Sequence, residues 1–225
     1  MTKQLNTLII EDHPFIIEGY KRVLETISAE HGAIDFKISS AGNCDEANKE
    51  IKYATNHYII DLVFLDISLP PSRDRKLISG DDIGLKLKSL FPNVKLIVAT
   101  HLNNNYRLVN ILKTLNPDGL LLKSELTFNN LKEGVTNVIN DVPFYSRPIL
   151  KLLRQHVSND FNLDDIDRKM LYHLSQGAKT KELTEVVHLS QSGVESRKRR
   201  LNQIFNNEKK SDKALLKLAR EKGFI

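Results

Sequence analysis

The first half of the chain alternates short apolar runs with amphipathic stretches. LNTLII, IDFKISS, LVFLD, VKLIVAT and GLLLK are short, rich in aliphatic residues and bounded by polar or turn residues. Strands buried on both faces of a parallel sheet carry this pattern. Between them, residues 14–28, 45–55, 81–91, 106–115 and 127–138 place apolar side chains at helical spacing. Five β–α repeats predict an α/β doubly wound domain with a five-stranded parallel sheet. After Asn140 the strand pattern stops.

Residues 141–160 read as a connecting segment, in which an irregular VPFYSRP precedes the helical ILKLLRQ. From Leu163 onward only helical periodicity is present, over 164–176, 181–187, 191–205 and 212–222. Short links predict an all-α four-helix unit. Its second and third helices are separated by HLS, with Ser190 placed as an N-cap, which is helix-turn-helix spacing. The expected organisation is therefore a domain over 1–140, a linker with a helix over 141–160 and a helix-turn-helix domain over 161–225.

Length and composition sharpen this picture. A chain of 225 residues exceeds the usual domain size of roughly 100–150, so two unequal domains fit. With 40% hydrophobic and 27% charged residues, neither disorder nor a membrane-embedded class is expected. No apolar stretch approaches the roughly 18 residues of a membrane span, and MTKQLNT runs into the first strand without a signal-peptide pattern. A cytoplasmic protein with no membrane association is expected. The single cysteine, Cys44, excludes an internal disulfide and a cysteine-rich metal site. Charge is uneven: residues 179–222 hold 12 Lys/Arg against 6 Asp/Glu, a local excess of 6 against +5 for the whole chain. A polyanion is the partner such a segment suits, although a solvated helical face has the same composition.

In an open parallel sheet, functional groups gather beyond the carboxyl ends of the strands, near the point where strand order reverses. Glu11 and Asp12 stand at such an end, as do Asp66 after LVFL, Thr100 after VKLIVA and Lys123 after GLLL. Three carboxylates in one cleft disfavour one another's charge unless a cation joins them, and a hard oxygen-seeking ion such as Mg²⁺ removes that conflict.

EDHPFIIEG, LVFLDISLP, the Thr of IVATH and GLLLKS resemble the successive signatures of a two-component response-regulator receiver domain. The segment from LDDIDRKM to RRLNQIF is similar to the helix-turn-helix output domain of the NarL/LuxR type, so the resemblance spans nearly the whole chain. It implies a transcriptional regulator that is not an enzyme, with a sensor histidine kinase and double-stranded DNA as partners. A homodimer is expected when phosphorylated or on DNA. By the same resemblance Asp66 is the phosphoacceptor. Glu11, Asp12, Asp66 and the Ser68 backbone carbonyl arrange Mg²⁺, Lys123 neutralises charge and Thr100 binds the attached phosphoryl group. His13 is assigned only to shaping the loop and the start of the helix. Ser68 and Leu102 flank the approach of a hydrolytic water, and neither can hold one, which implies slow self-dephosphorylation.

Some positions depart from the family pattern. The loop after Pro70 is about six residues longer than usual and carries Arg73, Arg75 and Lys76; a kinase contact, a flap and a tolerated insertion all fit. Leu120 stands where many receivers have an aromatic switch residue. In the output helix, Glu195, Ser196 and Arg199 are expected to face the major groove, and Arg197, Lys198 and Arg200 the phosphates. Glu195 replaces a frequent Lys; it either accepts from cytosine N4 or pairs with Arg199 one turn on. Two other functions compete: an adaptor whose helical domain binds protein, and an aspartyl-phosphate phosphatase. The latter usually carries a second Asp where Ser68 stands.

Overall fold

The computed structural model describes residues 2–101, 104–158 and 163–225. It divides into two compact units, Met1–Leu102 with Ile111–Ile149, and Asn103–Asn110 with Leu150–Ile225.

The first unit is a parallel sheet with helices in the crossovers. Its strands are β1 (Lys3–Ile10), β2 (Ile34–Ala41), β3 (Leu62–Asp66), β4 (Lys95–Thr100), β5 (Gly119–Leu122) and β6 (Phe144–Tyr145), and its helices are α1 (Pro14–His31), α2 (Cys44–His57), α3 (Gly80–Leu90), the part of α4 (Asn105–Leu115) from Ile111 on, and α5 (Phe128–Ile139). Strand order is β2-β1-β3-β4-β5-β6, all parallel. The chain moves outward from β1 to β2 and then returns past β1 to β3, so the switch point lies between β1 and β3. On one face, Leu5, Ile9, Phe64 and Leu121 pack against Tyr20, Leu24 and Ile27 of α1 and Val135 of α5.

The sheet has six strands where the sequence pattern predicts five. Two residues are too few for a periodicity, so Phe144–Tyr145 looks irregular in the sequence. Phe144 N–H donates to the Asp118 carbonyl at 3.0 Å and Ser146 N–H to that of Leu120 at 3.1 Å, which aligns the segment with β5. Gly134 of α5 makes room for the Phe144 ring: a Cβ there would lie 2.8 Å from it.

The long loop after Pro70 folds on itself. Ser72 is buried, its N–H donates to the Leu77 carbonyl, and Arg73 N–H donates to Asp45 Oδ2 at 3.0 Å. Asp82 receives the Ile78 N–H at 2.7 Å and so closes the loop onto the start of α3. Arg73, Arg75 and Lys76 are exposed. The return to α3 requires a glycine, because a Cβ on Gly80 would lie 2.0 Å from the Asp66 carbonyl oxygen. Gly80→Ala should destabilise by about 1–3 kcal/mol through overpacking against backbone. Gly19→Ala in α1, where the Cβ meets nothing within 4 Å, should instead stabilise by about 0.5–1 kcal/mol. Urea unfolding of the two variants checks the opposite signs; equal effects would show that the loop absorbs the clash.

The second unit contains the start of α4, α6 (Arg147–Ser158) from Leu150 on, α7 (Asp165–Ser175), α8 (Thr180–Val187), α9 (Gln191–Ile204) and α10 (Asp212–Glu221). One cluster joins Leu171, Leu201, Phe205, Leu215 and Ala219; another joins Met170, Leu174, Leu183, Val187 and Val194. Between α8 and α9 the chain turns through His188 at φ 52°, and Ser190 caps α9 by accepting the Gly193 N–H at 3.2 Å. Val194, Leu201 and Phe205 are buried, as their common helical face predicts. No described helix is long and apolar enough to cross a membrane.

Candidate functional site

Strand register builds the site step by step. Ile10 pairs with Leu65, so Glu11 and Asp66 follow as neighbours; Asp66 pairs with Ala99, which places Thr100 one residue further. Thr100 pairs with Leu122, which places Lys123 next. Each residue closes or follows its strand, so adjacent strands deliver their functional groups to one end of the sheet.

Lys123 holds the centre of the cluster. Its Nζ donates to Asp66 Oδ2 at 2.7 Å and to Glu11 Oε1 at 2.8 Å, and all three side chains are 1% exposed. Glu11 Oε2 also lies 2.7 Å from Nζ, so the ammonium sits against both oxygens of that carboxylate. Two buried carboxylates against one ammonium leave a net negative centre, which favours binding of a further cation. Asp66 Oδ1 accepts the Ser68 N–H at 2.9 Å, which fixes the carboxylate's orientation. Thr100 is fully buried, and Asp12 is partly exposed at the rim. Leu120 is fully buried core, and Leu102 lies outside the described residues.

His13 stands closer to this chemistry than its sequence position suggests. It occupies the N-cap position of α1 without capping through its side chain. Instead Nδ1 lies 2.6 Å from Asp12 Oδ1 and 3.1 Å from Glu11 Oε1. The hydrogen bond to Glu11, followed by the charge of Asp12, raises its pKa above the ordinary value. One ligand atom from each of Glu11, Asp12, His13 and Asp66 falls within 4.8 Å of the others, a spread that one divalent ion can span.

Beneath the acids, Tyr20 stacks on Phe64 with centroids 4.7 Å apart. Its hydroxyl is buried with no partner among the described residues. Burial above all, helped by the Glu11 and Asp66 charges, pushes its pKa up, so it stays a neutral phenol. An orphan buried hydroxyl costs stability, so Tyr20→Phe should stabilise the unit by about 1 kcal/mol. Chemical denaturation tests this; a loss of stability would show that the hydroxyl is satisfied in solution.

The helical unit places the predicted DNA-facing residues in different roles. Arg197 donates to Asp164 Oδ2 at 2.6 Å and Asp167 Oδ1 at 2.8 Å, and Arg200 lies 3.3 Å from Asp167 Oδ2. Lys198 pairs with Asp212 at 2.9 Å. All three cations assigned to phosphates therefore already have carboxylate partners within the protein. Arg199 is exposed, and no ion pair of it is found among the described residues. Glu195 accepts from the Thr180 hydroxyl at 3.2 Å, at the start of α8, instead of pairing with Arg199. Ser196 is exposed. The signal for the Arg197 partners is present in the sequence as LDDIDR, an acidic helix start: Asp164 caps α7 by accepting the Asp167 N–H at 2.8 Å and meets Arg197 with its other oxygen.

No family model matches the chain, and no curated protein matches it. Among solved structures, it is similar to the two-component response regulator RcsB in complex with DNA, with TM-score 0.62 and 21% identity over 97% of this chain and 98% of that one. RcsB from Salmonella enterica serovar Typhimurium bound to promoter P1flhDC with the phosphomimetic BeF3⁻ matches at TM-score 0.62 and 20% identity, over 96% and 98%. Two RcsB dimers bound to two parallel DNAs match at TM-score 0.62 and 20% identity, over 97% and 98%. The chain thus has the fold of a response regulator of the RcsB kind, with a receiver-type α/β unit followed by a helix-turn-helix unit.

Proposed function

We propose that this chain is a cytoplasmic, phosphorylation-controlled DNA-binding transcriptional response regulator. The observation that carries the reading is the buried Glu11–Lys123–Asp66 cluster at the carboxyl ends of β1, β5 and β3.

Asp66 is the nucleophile, attacking the phosphoryl group of a phosphohistidine on a partner kinase to form an acyl phosphate. Phosphoryl transfer asks for alignment and for neutralisation of charge on the transferring oxygens, with little covalent work left to the protein. The Ser68 N–H and Lys123 hold the two Asp66 oxygens, which fixes the carboxylate's line of attack. Lys123 also meets the growing negative charge. Glu11, Asp12, Asp66 and the Ser68 carbonyl are the residues that would hold Mg²⁺, which supplies further charge neutralisation when bound. Thr100 closes on the phosphoryl group from the end of β4 and turns its arrival into a shift of the following segment.

In the helical unit, α9 reads the major groove of double-stranded DNA. Arg199 and Ser196 are the exposed candidates for base edges, while Glu195 braces α8 against α9. A homodimer on two-fold sites follows from the way symmetric dimers set half-site spacing; the solved RcsB dimers on DNA support the same arrangement. The ion pairs of Arg197, Lys198 and Arg200 favour a second reading, an adaptor whose helical unit binds protein. A genome-wide map of bound sites with wild type and Asp66→Asn separates the two. Discrete paired half-sites whose occupancy depends on Asp66 are expected. Absence of any enriched site would favour the adaptor.

A further inference from the structure

Resting on that reading of α9 as the DNA-facing helix, we infer that Gln203 is a base-reading residue, and that with Arg199 it selects an adenine about two base pairs from a guanine in each half-site.

The buried face of α9 fixes which side chains point outward. Val194, Leu201 and Phe205 are buried against the rest of the helical unit. At about 3.6 residues per turn, the direction opposite them is shared by Ser192, Ser196, Arg199 and Gln203. All four are exposed. Glu195 stands to one side of this row and is held by the Thr180 hydroxyl at 3.2 Å, while Ser192 lies 3.0 Å from the hydroxyl of the capping Ser190. The long side chains left in the row are Arg199 and Gln203, and neither polar end has a partner among the described residues.

The neighbouring amide shows the contrast. Asn202 Nδ2 donates to the Lys198 carbonyl at 2.8 Å, and its Oδ1 accepts from Asn207 Nδ2 at 2.5 Å. One amide is spent on holding the turn after α9, and the next along the chain is left with its donor and acceptor open. A primary amide matches N7 and the N6 amino group of adenine in the major groove, as a guanidinium fork matches O6 and N7 of guanine. Arg199 and Gln203 are separated by a helical rise of about 6 Å, and base pairs stack about 3.4 Å apart. That ratio sets the spacing of the two bases. A neutral amide adds no phosphate attraction, so its effect falls on sequence preference and not on salt dependence.

The test selects binding sites for the full chain from a randomised pool of double-stranded DNA. The wild type should enrich half-sites with a guanine and an adenine about two base pairs apart. In Gln203→Ala, discrimination at the adenine should fall roughly 5–150-fold, with the guanine retained and the salt slope unchanged. Gln203→Glu, which can only accept, should move the preference at that position to cytosine, a change that a merely solvated glutamine would not produce. Arg199→Ala should lose the guanine and keep the adenine. A wild-type motif left unchanged by both Gln203 variants overturns the inference and leaves DNA binding by α9 standing. Enrichment of no motif by the wild type would sink the DNA reading and the inference with it.

Discussion

Asp66→Asn takes up no phosphoryl group from a small phosphodonor such as acetyl phosphate in Mg²⁺, while the wild type is labelled on one residue. Asparagine nearly matches the shape of aspartate, and its carbonyl still accepts the Ser68 N–H that Oδ1 accepts at 2.9 Å. Lys123 keeps Glu11 as its counter-charge. The fold should therefore survive, and the loss is chemical: an amide is no nucleophile toward phosphorus. Thr100→Ala should still be labelled, because Thr100 acts on the product and leaves the attacking carboxylate untouched. Labelling of Asp66→Asn at the wild-type level, measured by radiolabel or intact mass, would remove Asp66 from the role. An unfolded Asp66→Asn by circular dichroism would show the acid to be structural first.

The receiver-type fold was legible because its central strands are buried on both faces, so β1, β3, β4 and β5 announce themselves as apolar runs ended or followed by a functional polar residue, while the partly exposed edge strand β2 is read from its β-branched and aromatic residues. Observed strand and helix ends lie within about three residues of the pattern; LVFLD is strand β3 unchanged. The sixth strand was hidden because its placement depends on Gly134 admitting Phe144, a contact between distant segments with no periodic trace. The acidic cluster was legible residue by residue, since strand-end position alone brings Glu11, Asp66 and Lys123 together. The setting of His13 was not: whether a residue at a helix start caps the helix or turns to the acids is decided by a side-chain torsion. The output helix shows the same limit more sharply. A run of four basic residues fixes that a charged face exists, but which of them are free depends on acids 14 or more positions away, on other helices. Asp164 and Asp167 come from α7, and they turn Arg197 from a candidate DNA contact into an internal brace.

That brace predicts a division between two neighbouring arginines. Arg197→Ala leaves Asp167, whose side chain is fully buried, with only Arg200 at 3.3 Å. The loss should be about 3 kcal/mol, the low end for removing one partner of a buried pair, because Arg200 stays close. Arg199→Ala removes an exposed side chain and should change stability by less than about 0.5 kcal/mol. If Arg199 reads a base edge, that variant instead relaxes preference at one base position by about 1–3 kcal/mol. Acid adds a second signature. Burial raises the Asp164 pKa, but the Arg197 hydrogen bond, the Asp167 N–H and Arg200 outweigh it and hold the carboxyl below its ordinary value. A depressed carboxyl contributes stability that is present above the unfolded value of about pH 4 and lost as pH falls through the folded value. Arg197→Ala should therefore flatten the acid limb of the helical unit's stability curve, while Arg199→Ala leaves it unchanged. Urea unfolding between pH 2 and 7, beside DNA titration by fluorescence anisotropy at neutral pH, measures both axes. Wild-type stability with lost DNA affinity in Arg197→Ala would mean that the guanidinium leaves its acids for phosphate. The acids would then be a gate on DNA binding, with no bracing role.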